Sequence, residues 1–218
     1  MNIFLIRHAD PDYARDSLTP RGEVEAEKLA AFLADAPVTH VYSSPLGRAR
    51  RTMEPVLRGR SVEPVLLPWL AELRHDMGLG HAVWNVTAAE LAAEPTLAGR
   101  IAEFMAPQTA QSVAGFEALL AAHGFVREGT VYRQTAEPPR PELLLLFAHA
   151  GLILTLLCGL LELPLAATYA AVDYPPSGLT HLALCGAGDR RYQLKMRCLA
   201  ARPHLAAAAH LAGRAADE

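Results

Sequence analysis

Residues 143–163, LLLLFAHAGLILTLLCGLLEL, constrain this chain's folding more than any other stretch of its 218 residues. His149 and Glu162 are the only histidine and the only charged residue in it. By length it could cross a bilayer, which takes about 20 apolar residues. The alternative is a buried strand at 143–147, a small-residue turn at Ala148-His149-Ala150-Gly151, and a buried helix at 152–161. Parallel strands covered on both faces read as unbroken apolar runs, and the stretch lacks the basic flanks that orient a membrane span. The strand–turn–helix reading therefore takes precedence. It demands parallel neighbours and covering helices elsewhere in the chain.

The first third supplies them. Residues 2–6 form a short apolar run that ends at Arg7-His8. Thr19-Pro20 has the form of an N-cap and first helical residue. The helix they open is expected to turn Val24, Leu29, Phe32 and Leu33 inward and Glu23, Glu25, Glu27 and Lys28 outward. A second strand is expected at 38–42, a second helix from Ser44-Pro45 to about Arg58, and a third strand at 62–66. This β-α-β-α-β order implies a parallel sheet with crossover helices.

Farther along, Thr87-Ala88-Ala89-Glu90 has the pattern of a capping box. Residues 112–122 suggest a helix with Gly124 at C′, and 125–133 a hairpin around Glu128-Gly129. Pro138-Pro139-Arg140-Pro141 reads as a linker-like break. Residues 179–185 and 192–197 alternate as late strands, and the Ala-rich tail, with His204 and His210, is expected at the surface. With neither repeat nor boundary evident, the chain reads as one α/β domain, 1–218. Its irregular segment of about 74–140 is an insertion acting as a cap.

Composition excludes some partners. Twenty Lys and Arg against 23 Asp and Glu give a net charge of −3 and a pI near 6.3. A chain held to nucleic acid or anionic lipid by bulk charge would be basic, so neither is expected as a partner. Three scattered cysteines, Cys158, Cys185 and Cys198, build neither a disulfide framework nor a cysteine-rich zinc site. Together with an N-terminal apolar run that stops at Arg7, they point to the cytoplasm. The run Arg50, Arg51, Arg58 and Arg60 reads as a solvated helix face balanced by Glu54 and Glu63.

Three places along the chain share one geometry. Arg7 and His8 follow the first strand, Arg48 lies in the first turn after the second, and His149 follows the apolar strand. In a parallel sheet all four project at the carboxyl edge, where open α/β sheets bind ligands. Two guanidinium groups, two imidazoles and nearby helix N-termini suit a phosphoryl group. Beside Arg7 and Arg48, His8 is expected to stay neutral and able to attack phosphorus. A carboxylic acid is needed for the leaving group. Glu72 is the best placed, with Glu63, Asp76 and Asp10 as alternatives. Trp69 and Trp84 flank it, either as core or as substrate contacts. His75-Asp76 with His81, or His8 with Asp10 and Asp12, could be read as metal ligands, although neither makes a complete ligand motif.

These residues resemble the histidine phosphatase superfamily, the phosphoglycerate mutase-like proteins. Leu5-Ile6-Arg7-His8-Ala9 resembles its RHG signature, and Leu18-Thr19-Pro20-Arg21-Gly22 its LTxxG helix start. The stretch from Ser43-Ser44-Pro45-Leu46-Gly47-Arg48 to Thr52 is similar to its SSPLxRAxxT element. Leu70-Ala71-Glu72 resembles its LxE motif, and Phe147-Ala148-His149-Ala150-Gly151 its SHGG element. The matches keep the family's order over residues 1–85 and 141–185.

The resemblance implies a three-layer α/β/α sandwich with a mostly parallel central sheet. It implies a phosphohistidine at His8, with Arg7, Arg48 and His149 around the phosphate and Glu72 as proton donor. No metal and no cofactor are implied. The partner would be a small phosphorylated substrate, and the apolar late segment could serve a homodimer. Ala9, Ala14, Ala148 and Ala150 stand where the family carries Gly, Asn, Ser and Gly, and its GxWEG is blurred into Met77-Gly78-Leu79-Gly80 and Trp84. These departures favour a phosphatase over a phosphomutase. A non-catalytic phospholigand-binding protein is the alternative from another class.

Overall fold

The computed structural model describes residues 1–136 and 141–206. In chain order its elements are β1 (Asn2–Arg7), β2 (Pro11–Asp12), β3 (Ser17–Leu18), α1 (Pro20–Phe32), β4 (His40–Ser43), α2 (Gly47–Leu57) and β5 (Pro64–Leu66). Then follow α3 (Ala88–Ala93), α4 (Leu97–Ala122), β6 (Phe125–Glu128), β7 (Val131–Gln134), β8 (Leu143–Ala148), α5 (Ala150–Leu161), α6 (Leu165–Ala171), β9 (Leu179–Gly186) and β10 (Arg191–Ala201). The expected break at Pro138-Pro139-Arg140 and the tail with His210 fall outside the described residues.

Eight strands form one sheet in the order β5-β4-β8-β1-β9-β10-β7-β6, with helices on both faces, the α/β/α architecture expected. From β5 to β1 the strands are parallel, and from β1 to β6 they pair antiparallel. The parallel half carries the chemistry. Strand β8 lies in its centre, and every one of its residues is buried. Leu143, Leu145 and Phe147 pack with Leu29 of α1, Leu33 just past its end, and Met53 and Val56 of α2, while Leu144 and Leu146 join the larger core on the other face. The apolar run thus fills two cores at once, as a doubly covered strand must. It passes directly into α5, twelve residues long. No helix among the described residues is long and apolar enough to cross a membrane.

Several local expectations need correction. In α1 the buried face holds Gly22, Glu25, Ala26 and Leu29, whereas Val24 and Phe32 are exposed. Glu25 turns inward because its carboxylate accepts the Asp10 amide at 3.0 Å and Arg21 Nε at 3.1 Å. Helix α4 begins at Leu97, well before Ser112, and accommodates Pro107. Its long inner face of Leu97, Ile101, Met105, Phe116 and Leu120 outweighs the single proline. Within 74–140, α4 packs on α5, and β6 and β7 extend the sheet edge beyond β10. His204 is half-buried rather than on the surface, with Nε2 3.0 Å from Ser177 Oγ. The Thr87–Glu90 capping box, the hairpin at Glu128-Gly129 and the left-handed Gly124 (φ +80°) are as expected.

Candidate active site

Strands β1, β4 and β8 end side by side, in register Arg7↔Ala148 and Ser43↔Phe147. This places Arg7, His8, Ser44, Arg48 and His149 at one edge, four of them predicted from sequence. The rings of His8 and His149 have centroids 5.2 Å apart. Both residues are buried. The nearby cavity, about 470 Å³, is lined by Arg7, Arg48 and Glu72 together with Tyr13, His75 and Trp84. Of the acids put forward from sequence, Glu72 is thus the one that lines the cavity with the arginines. The alternatives are engaged or turned away: Glu63 is exposed, Asp76 accepts the Gly78 amide at 2.8 Å, and Asp10 accepts from Thr19 Oγ1 at 2.6 Å.

Hydrogen bonding assigns each imidazole its tautomer. His8 Nδ1 lies 2.8 Å from the Ala9 carbonyl, which can only accept, so Nδ1 carries the proton and Nε2 keeps its lone pair. His149 Nε2 lies 2.8 Å from Ser44 Oγ. That hydroxyl also accepts the Leu46 amide at 3.2 Å and keeps its own proton to donate to Nε2, an arrangement that puts the His149 proton on Nδ1. Burial lowers the pKa of His8 to about 3, with Arg7 and Arg48 adding to the effect. Burial, then the charges of His8, Arg48 and Arg7, lowers His149 to about 2. Both histidines are neutral at ordinary pH. Burial is the larger cause, where the sequence had suggested the arginines.

Burial raises Glu72, and amides from Leu73 (3.1 Å) and Leu152 (3.0 Å) oppose the shift without cancelling it. The side chain is held at the start of α5 on one side. On the other, Gln108 of α4 grips Arg74 through its amide (2.7 Å) and carbonyl (3.2 Å). A Cβ on Gly151 would fall 2.3 Å from Trp84 Cε3, so the glycine lets the indole lie flat on α5 and wall the cavity. Trp69 packs likewise on Gly115, away from the cavity lining.

Both arginines are fixed but not fully satisfied. Arg7 Nη1 donates to the Tyr174 carbonyl, and Arg48 Nη1 donates to Asp16 Oδ1 at 2.6 Å. Yet Arg7 Nε, Arg48 Nε and His149 Nδ1 are buried and have no hydrogen-bond partner among the described residues. Three orphaned donors at one place are what an anion with several acceptor oxygens would complete.

Asp16 escaped the sequence reading. Its Oδ2 accepts the Gly47 amide at 2.6 Å while Oδ1 holds Arg48. Burial pushes its pKa up, but the Gly47 amide and Arg48 outweigh that and hold it below the usual carboxylate value. Tyr13 was also missed: its ring lies 5.4 Å from the Arg48 guanidinium carbon and stands at the exposed mouth. The two sets that could be read as metal ligands, His75-Asp76 with His81 and His8 with Asp10 and Asp12, do not come together as ligands among the described residues. His81 pairs with Glu90 at 2.8 Å, and among the described residues only His40, His123 and Glu142 meet as ligands could.

Comparison with known proteins gives a concordant picture. The profile of the histidine phosphatase superfamily (branch 1) matches residues 3–194. A probable phosphoglycerate mutase of Cronobacter sakazakii is 31% identical over 88 residues, 36% of this chain and 40% of that protein. An adenosylcobalamin/alpha-ribazole phosphatase of Salmonella typhimurium is 34% identical over 97 residues, 37% of this chain and 48% of its own length. Each match thus spans less than half of the relative. Among solved structures, a mycobacterial glucosyl-3-phosphoglycerate phosphatase with inorganic phosphate superposes with TM-score 0.66 at 21% identity, covering 94% of this chain and 99% of that one. A phosphoserine phosphatase of Entamoeba histolytica with 3-phosphoglyceric acid gives 0.65 at 19% identity, with the same coverage. Both share the fold.

Proposed function

This chain belongs to the histidine phosphatase superfamily, and from that premise we propose that it is a metal-independent phosphomonoesterase with His8 as nucleophile. The observation that carries the reading is the set of buried, unpartnered donors Arg7 Nε, Arg48 Nε and His149 Nδ1 around a neutral imidazole. His8 Nε2 attacks phosphorus as the ester P–O bond breaks, and Glu72 protonates the departing alkoxide. The Glu72 carboxylate then takes a proton from water, whose oxygen displaces His8 from phosphorus and releases inorganic phosphate. Arg7 and Arg48 neutralise charge on the phosphoryl oxygens throughout, and the neutral His149 donates a hydrogen bond to them from Nδ1.

The chain is read as one catalytic domain, 1–218, in which residues of the 74–140 segment, His75, Trp84 and Asn85, wall the substrate side of the cavity. Leu154 and Val172 add apolar surface and Asp173 a carboxylate, which fits a small phosphomonoester with a partly apolar body. Three free thiols fit a reducing cytoplasm. Relatives with phosphatase and mutase names keep phosphomutase as the second reading.

The test is hydrolysis of an aryl phosphate in excess EDTA beside a His8→Ala control. Turnover in EDTA that disappears in His8→Ala supports the proposal. A metal requirement, or activity that survives the substitution, overturns it. On a phosphoglycerate, positional transfer exceeding phosphate release would favour the mutase.

A further inference from the structure

The opposite edge of the parallel sheet carries a second cluster that the phosphatase reading does not use. His40 opens β4, Glu142 immediately precedes β8, and His123 caps the carboxyl end of α4. We propose that these three side chains bind a divalent transition-metal ion of the zinc class, as a structural site separate from the catalytic edge.

His123 Nδ1 lies 3.0 Å and His40 Nδ1 3.8 Å from Glu142 Oε1. The two imidazoles meet edge to face, with centroids 4.5 Å apart. Donor atoms about 2.1 Å from a tetrahedral zinc are about 3.4 Å from one another, and the observed spacings bracket that value. Two imidazoles and a carboxylate form a nitrogen and oxygen set that suits zinc, cobalt or nickel better than calcium or magnesium.

A second observation points to a ligand. Glu142 is nine-tenths buried, yet its Oε2 has no hydrogen-bond partner among the described residues. A buried carboxylate oxygen left bare is costly, and a cation at the cluster would compensate it. The surroundings favour positive charge as well. His123 stands at the carboxyl terminus of the 26-residue α4, where the helix dipole attracts cations. Tyr42 Oη, 2.8 Å from His123 Nε2, can accept the Nε2–H when Nδ1 turns to the metal. Such an outer partner orients a ligating imidazole. The proton on Nδ1 moves to Nε2 in that exchange, so the ring stays neutral. His40, partly exposed, leaves the remaining coordination position to water.

A metal here would tie β4, β8 and α4 together about 20 Å from the catalytic edge, by the rise of β8. The experiment titrates the metal-stripped protein with zinc chloride in a non-chelating buffer and follows stoichiometry by calorimetry and unfolding by thermal melting. One zinc per chain with submicromolar affinity is expected, with a melting temperature raised by several degrees at saturation. His40→Ala and Glu142→Gln should each weaken zinc at least tenfold. His40→Ala should also leave aryl phosphate hydrolysis unchanged. Substoichiometric binding, or one equivalent that persists in both variants, overturns the site. Zinc lost in His8→Ala but retained in His40→Ala would assign the metal to the catalytic edge and overturn it equally.

Discussion

At the scale of single residues, reactivity turns on which groups are charged. With its pKa lowered to about 3, His8 remains an unprotonated nucleophile throughout mildly acid and neutral solution. The alkaline limb of kcat/KM therefore belongs to Glu72, whose raised pKa keeps it protonated for longer than an ordinary glutamate. In Glu72→Gln, kcat on an alkyl phosphate should drop by about 10²–10⁴. On an aryl phosphate with an acidic phenol, the first step needs no protonation, so a burst of one phenolate per chain should precede slow turnover. Equal losses on both substrates without a burst would remove Glu72 as proton donor. Arg7, His8, Arg48, Glu72 and His149 were legible in the sequence because each sits at a fixed offset from a strand end. Asp16 was not. Its role exists only because the 12–16 loop folds back onto Arg48 from 32 positions away.

At the scale of elements, the start of α2 shows how the site shapes local structure. Ser44-Pro45 looks like a helix opening in sequence, yet α2 begins at Gly47. The Ser44 hydroxyl is occupied with His149, and the Gly47 amide is capped by the Asp16 carboxylate from another segment. A Cβ at Gly47 would fall 2.0 Å from the Asp16 carbonyl oxygen. Gly47→Ala should therefore push Asp16 off Arg48. It should lower kcat/KM about tenfold or more while unfolding shifts by about 1–3 kcal/mol. Asp16→Asn, which keeps the loop and removes the charge, should give the smaller kinetic defect of the two. An unchanged kcat/KM in Gly47→Ala would show that Arg48 is held without Asp16. The inward turn of Glu25 in α1 has a similar origin: periodicity assigns it outward, and only the fold brings the Asp10 amide to meet it.

At the scale of the whole molecule, the sheet order follows from the apolar strand β8, because a strand covered on both faces must lie centrally. The antiparallel half, with β6 and β7 at its edge, was less legible. Its strands carry exposed residues, and their partners are set by tertiary contact. Two buried neutral histidines also set the acid stability. His8 and His149 have folded pKa values of about 3 and about 2 against 6.5 unfolded, so their contribution is complete above pH 6.5 and is lost as pH falls below it. His204, lowered by burial to about 4, adds in the same direction. His181, lowered by burial, adds to the decline, while Glu72, raised by burial, and His81, raised by its hydrogen bond to Glu90, act oppositely. Stability from denaturant melts should thus decline between pH 6.5 and 4. His149→Gln should flatten that slope by at most about 1.4 kcal/mol per pH unit. A slope unchanged in His149→Gln would mean that His149 is not neutral in the fold. The central claim is a covalent intermediate on His8, and trapping it tests that claim most directly. Acid-free quenching of the protein during turnover of a ³²P-labelled phosphomonoester in EDTA, followed by peptide mapping, should find acid-labile, alkali-stable phosphate on His8 and none in His8→Ala. Label on another residue, or full turnover in His8→Ala, would contradict the account.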